Sequence, residues 1–210
     1  MSGRPVLWDV DTQVDFVHAG GKLAVPGAEE VTPNMARLVR WAHEAGITHV
    51  ASADDHEAGD PELSDDADFQ LTYPPHCLRG TPGAEKIAET AQRDPVALPL
   101  EPMTPADLAA LVRGRRELLI LKKEFDVFTN PNAGTLVDVL DPSEVIVFGV
   151  ATDVCDHAAV MGLLARDRRV TFVEDASRGL SEERVASCLA QWREAGVRFR
   201  TTDDVVADAA

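Results

Sequence analysis

The stretch "EVIVFGVATDVCDHAAVMGLLARD", residues 144–167, changes its periodicity in the middle. Residues 144–150 form a continuous run rich in β-branched and aromatic side chains, the pattern of a strand buried on both faces. Residues 153–167 carry apolar side chains at helical spacing, and Asp153 or Thr152 is the expected N-cap. A buried strand turning directly into a helix is half of a βαβ unit. Cys155 falls in the first turn of that helix, between Asp153 and Asp156. Two effects oppose each other there. Neighbouring carboxylates raise a thiol's pKa, and the unpaired N–H groups at a helix N-terminus lower it.

The same alternation extends outward in both directions. Strands are expected at 5–11, 47–54, 117–123, 144–150 and 169–176, with a sixth at 197–202. Between them lies a helix over 29–46, with Val31, Met35, Leu38 and Ala42 on one face and Gly46 closing it. Thr104 and Pro105 open a helix over 104–114, and a short one follows over 133–140. Ser181 caps a last helix over 181–196. Strands alternating with helices imply right-handed crossovers and a largely parallel, doubly wound sheet covered on both faces, a three-layer α/β/α class. The chain has 210 residues and neither repeats nor a low-complexity linker, so residues 1–210 are expected to form one domain. Residues 55–100 read as one long irregular stretch, a length that is often functional.

Composition excludes some roles. The formal net charge is −16, which argues against nucleic acid and anionic membrane as partners. No apolar run is long enough to span a bilayer, and the N-terminus has no cleavage-site pattern. Three cysteines without metal-cluster spacing suggest a reduced, cytoplasmic chain without structural disulfides.

Ligands of open parallel sheets bind outside the carboxyl ends of the strands. Asp11, then Asp54 with His56, then Lys122, and the 149–155 turn each close one predicted strand, so four strands aim chemistry at one edge. His157 stands two residues from Cys155, so the two point to different sides of a helix, and His157 reads as a packing or surface residue. The base for Cys155 must come from another strand end. Asp11 is the candidate, with Lys122 expected to keep it charged and to favour the thiolate. Lys123 points the other way. In the long stretch, Asp54-x-His56, Glu62 and His76 could form a mixed nitrogen and oxygen site for zinc, iron or manganese. The run Asp65, Asp66, Asp68 reads as solvated, Cys77 and Cys188 as packing, and His18, His43 and His49 as structural.

These residues together resemble the isochorismatase-like cysteine hydrolase superfamily and, within it, the nicotinamidases. Four motifs carry the resemblance in order: "DTQVDF" (11–16), "DDHEAGDPEL" (54–63) with "YPPHCLRGTPGAE" (73–85), "KKEFDVF" (122–128) and "GVATDVC" (149–155). The resemblance implies the isochorismatase-like hydrolase fold and a small amide as substrate, nicotinamide first. It makes Asp11, Lys122 and Cys155 the catalytic residues, with the N–H groups of Ala151 and Cys155 as oxyanion hole and a cis peptide before Ala151. It also implies one divalent metal ion, zinc first, on Asp54, His56, Glu62 and His76, with Phe16 and Tyr73 enclosing the substrate ring. Relatives often carry Trp or Phe where this chain has Tyr73, and are often dimers or tetramers. A related amidase acting on a carbamoyl compound or maleamate is the alternative. True isochorismatases lack the cysteine, which disfavours that activity. An inactive binding protein on the same fold is disfavoured by the intact Asp11, Lys122 and Cys155.

Overall fold

A computed structural model describes residues 3–208; the outermost residues of the 1–210 span lie outside it. The chain runs β1 (Val6–Val10), α1 (Val14–Val17), α2 (Thr32–Ala45), β2 (Thr48–Asp54), β3 (Val96–Leu98), α3 (Pro105–Val112) and β4 (Glu117–Lys122). It continues through α4 (Ala133–Leu140), β5 (Val145–Val150), α5 (Cys155–Leu164), β6 (Val170–Arg178), α6 (Glu182–Glu194), β7 (Arg198–Arg200) and α7 (Thr202–Ala207).

All seven strands join one parallel sheet in the order β3-β4-β2-β1-β5-β6-β7. The side chains alternate as a sheet buried on both faces requires. Val6, Trp8, Val10, Val145 and Val147 point to one face and pack with α3, α4, α5 and Trp192 of α6. Leu7, Ile146, Phe148 and Val150 point to the other and pack with α1, α2 and Val205 of α7. This is the expected three-layer architecture.

The helix ends follow local chemistry. Thr104 accepts from the Asp107 N–H, and Ser181 from the Arg184 N–H, both as expected caps. Gly46 closes α2 at φ 63°, a left-handed conformation that glycine adopts at no steric cost.

Three readings are corrected. Helix α5 starts at Cys155 with Val154 as its cap, so neither Asp153 nor Thr152 caps it. The Asp153 carboxylate instead accepts from the Leu180 and Ser181 N–H groups and pairs with Arg184 at 2.9 Å, tying the turn after β6 to the turn after β5. The 55–100 stretch is not wholly irregular: Val96–Leu98 forms the edge strand β3 against β4. The 197–202 run ends as a strand at Arg200, because Thr201 and Asp204 form a capping box that opens α7. Among the described residues no helix is long and apolar enough to cross a membrane.

Candidate active site

Strands β1 and β5 are neighbours, with Val10 opposite Gly149. From β1 the chain adds strands to one side, and from β5 onward to the other. The sheet's direction of winding therefore reverses between them, and a crevice opens at that switch point. Asp11 leaves β1 and Cys155 opens α5 on either side of this crevice. Strands β2 and β4 deliver Asp54 and Lys122 as register partners.

The backbone is specialised where these strands end. Asp11 sits at φ 48°, uncommon for a residue other than glycine, and such outliers concentrate at functional sites. Gly149 adopts φ 141°, and a Cβ there would meet the Val10 carbonyl oxygen at 2.1 Å. The Val150–Ala151 peptide is cis, as the resemblance implies.

Lys122 organises the buried cluster. Its Nζ lies 2.9 Å from Asp11 Oδ2 and 3.9 Å from Cys155 Sγ, and it also pairs with Asp54 Oδ1. Ser52 donates to Asp11 Oδ1 at 2.7 Å. Gln13 donates to the Asp54 carbonyl and accepts from the Asp54 N–H, which locks the end of β2 to the segment after β1. Burial disfavours the Lys122 ammonium, but Asp11 and Asp54 outweigh it and its pKa stands well above the usual lysine value. Burial also lifts the Cys155 thiol well above its ordinary value; Lys122 pulls the other way, and Asp11 and Asp54 add to the rise. Cys155 is only 6% exposed, so burial is the largest influence on its thiol. Lys122 also pulls Asp11 toward its charged form. Burial raises Asp11 despite Lys122, with the Asp54 charge adding to the rise. A carboxylate raised in this way accepts a proton more readily than an ordinary aspartate.

Asp54, His56, Glu62 and His76 are all buried and turn one donor atom each toward a common point, within 4.8 Å of one another. The remaining polar atom of each is held from behind. Asp54 Oδ1 meets Lys122, and Glu62 Oε2 accepts from the Phe125 N–H at 2.5 Å. His56 Nδ1 faces Asp60 Oδ2 at 3.4 Å, and His76 Nδ1 lies 2.7 Å from the Pro74 carbonyl oxygen. Both imidazoles are thereby oriented with Nε2 inward, the second-layer support typical of metal-ligating histidines. His56 Nε2 is buried without a hydrogen-bond partner among the described residues. The set fits a divalent ion.

Phe16, Tyr73, Phe125, Leu23, Val25, Val154 and Leu180 wall the pocket between Cys155 and this cluster. Burial pushes the Tyr73 phenol up to about 12, so it stays neutral. The free space is about 20 Å³, room for roughly one water.

The structure thus brings together Asp11, Asp54, His56, Glu62, His76, Lys122 and Cys155. His157 packs against Trp192, accepting from its Nε1 at 3.2 Å. Cys77 is fully buried, and Lys123 turns outward to Asp60. Sequence reasoning missed Gln13, Ser52, Asp60 and Phe125. Gln13, Asp60 and Phe125 lie inside quoted motifs and Ser52 does not, but all four act through contacts that only the fold creates.

Comparison with known proteins agrees with this geometry. The nicotinamidase of Escherichia coli (strain K12) is 27% identical over 187 residues, 82% of this chain and 82% of that one. A protein of Arabidopsis thaliana named as a probable inactive nicotinamidase is 23% identical over 195 residues, 91% of this chain and 89% of that one. In fold, the chain is similar to the pyrazinamidase of Pyrococcus horikoshii solved in complex with zinc, with a TM-score of 0.75 at 22% identity, over 94% of this chain and 99% of that one. The isochorismatase domain family matches residues 6–204. The chain belongs to that family.

Proposed function

We propose that this protein is a metal-containing cysteine amidohydrolase that converts nicotinamide and water to nicotinate and ammonia. The observation that carries the reading is the intact buried set of Asp11, Lys122 and Cys155 at the switch point, beside a four-donor cluster with every outer atom anchored. We treat residues 1–210 as one domain. The Cys155 thiol gives its proton to Asp11 as sulfur attacks the amide carbonyl carbon. The N–H groups of Ala151 and Cys155 serve the developing oxyanion; Cys155 opens α5, so its N–H has no intrahelical acceptor. Losing one such donor costs about 3–4 kcal/mol in typical enzymes. The C–N bond then breaks, Asp11 returns the proton to the departing ammonia, and the acyl group remains on sulfur. Water, deprotonated by Asp11, attacks the thioester carbonyl; nicotinate leaves and sulfur recovers its proton. Lys122 offsets the negative charge that passes between Asp11 and Cys155.

Asp54, His56, Glu62 and His76 would hold the ion, zinc first by their mixed imidazole and carboxylate chemistry, and when bound it would offer a Lewis-acidic anchor for the ring nitrogen. Phe16 and Tyr73 would flank the ring. An aromatic amide needs far more than 20 Å³, so the pocket must widen for entry. That small space, together with tyrosine at position 73, favours a smaller aliphatic or carbamoyl amide as the second reading.

The test is ammonia release from nicotinamide by the purified protein, with Cys155→Ala as control. Release that vanishes in the variant is the expected result. No release from nicotinamide, but release from a smaller amide, selects the second reading. No release from any amide, with Cys155 unreactive to iodoacetamide, overturns both.

A further inference from the structure

At the opposite end of the sheet from the active site, a second cluster has the same construction. His49, near the start of β2, and Glu117, which opens β4, are register partners, and His43 reaches them from the last turn of α2. His49 Nδ1 lies 3.3 Å from Glu117 Oε2, and His43 Nε2 lies 2.6 Å from Glu117 Oε1. One donor atom from each of the three lies within 4.8 Å of the others. His49 is fully buried, and neither of its ring nitrogens makes a hydrogen bond among the described residues. Its outer nitrogen, Nε2, faces Asp9 Oδ2 at 3.4 Å, and Lys86 holds that carboxylate at 2.8 Å. Glu117 Oε2 is buried and unpartnered too.

We propose that His43, His49 and Glu117 form a second binding site for a divalent transition-metal ion of the zinc, cobalt or nickel class. Two imidazoles and one carboxylate suit such ions. Tetrahedral coordination with bonds of about 2.0–2.1 Å spaces donors by about 3.3 Å, which matches His49 and Glu117 as they stand. The closer His43–Glu117 contact is an ion-pair contact in which His43 Nε2 makes no well-formed hydrogen bond, and an ion would replace it by a turn of the half-buried His43 ring. Asp9 stands behind His49 as Asp60 stands behind His56 in the first cluster. A cleft of about 200 Å³, lined by His43, Ile47, Arg93, Arg116 and Glu117, gives the ion a path and leaves an outward position for water. Arg93 and Arg116 weaken cation binding but carry no lone pair to compete as ligands. His49 and Asp54 are five residues apart on β2, about 16 Å, so the two sites are independent.

The test is equilibrium dialysis of the chelator-stripped full chain against zinc, with metal analysis, for the wild type, His43→Ala and Glu117→Gln. The expected result is two ions per wild-type chain, one in His43→Ala, and at least a tenfold weaker second ion in Glu117→Gln, with unchanged ammonia release in both variants. Glu117→Gln keeps side-chain shape, so it remains informative where His43→Ala loses structure. One ion in the wild type and none in His43→Ala would keep this site and remove the first. Equal numbers of bound ions in wild type and both variants, at equal affinity, overturn the proposal and leave the three residues as a buried ion-pair network.

Discussion

Lys122 is 1% exposed and stands between two buried carboxylates and a thiol. Removing its charge leaves Asp11 and Asp54 buried beside each other without compensation. Breaking such a pair costs roughly 3–5 kcal/mol. Lys122→Met is therefore expected to lower stability by about that amount and to reduce amide hydrolysis by at least about a hundredfold. Urea unfolding beside an ammonia assay checks both, and a wild-type midpoint would mean that Asp11 and Asp54 are not both ionised. Asp156 presents a different case. It is fully buried, and neither carboxylate oxygen has a hydrogen-bond partner among the described residues. Burial, reinforced by the Asp11 charge, holds its pKa well above the ordinary value. In the unfolded chain aspartate titrates near about 3.9, so above that pH the unfolded state sheds a proton that the folded state keeps. Stability from this group then falls as pH rises, by about 1.4 kcal/mol per pH unit until the folded carboxyl ionises. Asp156→Asn is expected to flatten that decline, its advantage over wild type growing between roughly pH 5 and pH 7. Parallel stability curves for the two proteins over that range would refute the assignment.

Among the elements, the segment from Asp54 to Leu78 has little regular structure of its own. It is held by Asp54, His56, Glu62 and His76, by bridges of His56 to Leu78 and Leu63 to Tyr73, and by Arg79 pairing with Asp55 and Glu57. Phe69 and Leu71 lie outermost on it, 45% and 69% exposed. If a metal ion ties the four donors, chelation should release this segment while the sheet stays intact. Chymotrypsin is then expected to cleave near Phe69 several-fold faster after EDTA treatment, and zinc add-back should restore resistance. Equal cleavage with and without the ion would assign the ordering to the hydrogen bonds instead, such as the three backbone N–H groups that Asp68 Oδ1 accepts. The same segment explains an element-scale surprise. Val96–Leu98 lies past an acidic, proline-rich run and is only three residues long, too short for alternation to show. Its pairing comes from β4, not from its own sequence.

Over the whole molecule, a net charge of −16 repels itself. Raising salt from about 0.01 M to about 1 M shortens the screening length from about 30 Å to about 3 Å. The melting temperature is expected to rise with sodium chloride over that range, and a fall would show that surface ion pairs such as Arg37–Asp203 outweigh the repulsion. The strands other than β3, the helices α2 to α6, both faces of the sheet, the strand-end residues Asp11, Asp54 and Lys122, and Cys155 in the first turn of α5 were legible in the sequence alone, because each depends on a periodicity or a cap that acts within a few residues. The electrostatics of the cluster were not, because burial is a property of the packed molecule and acts on Cys155 and Asp11 only once the fold encloses them. The cap of α5 moved to Val154 for a related reason, since Asp153 found the Leu180 and Ser181 N–H groups across the fold. His49, isolated in the chain, meets Glu117 only because parallel pairing aligns β2 with β4, and His43 joins them only because α2 packs at that end of the sheet. Tertiary structure decided whatever required two distant segments to meet.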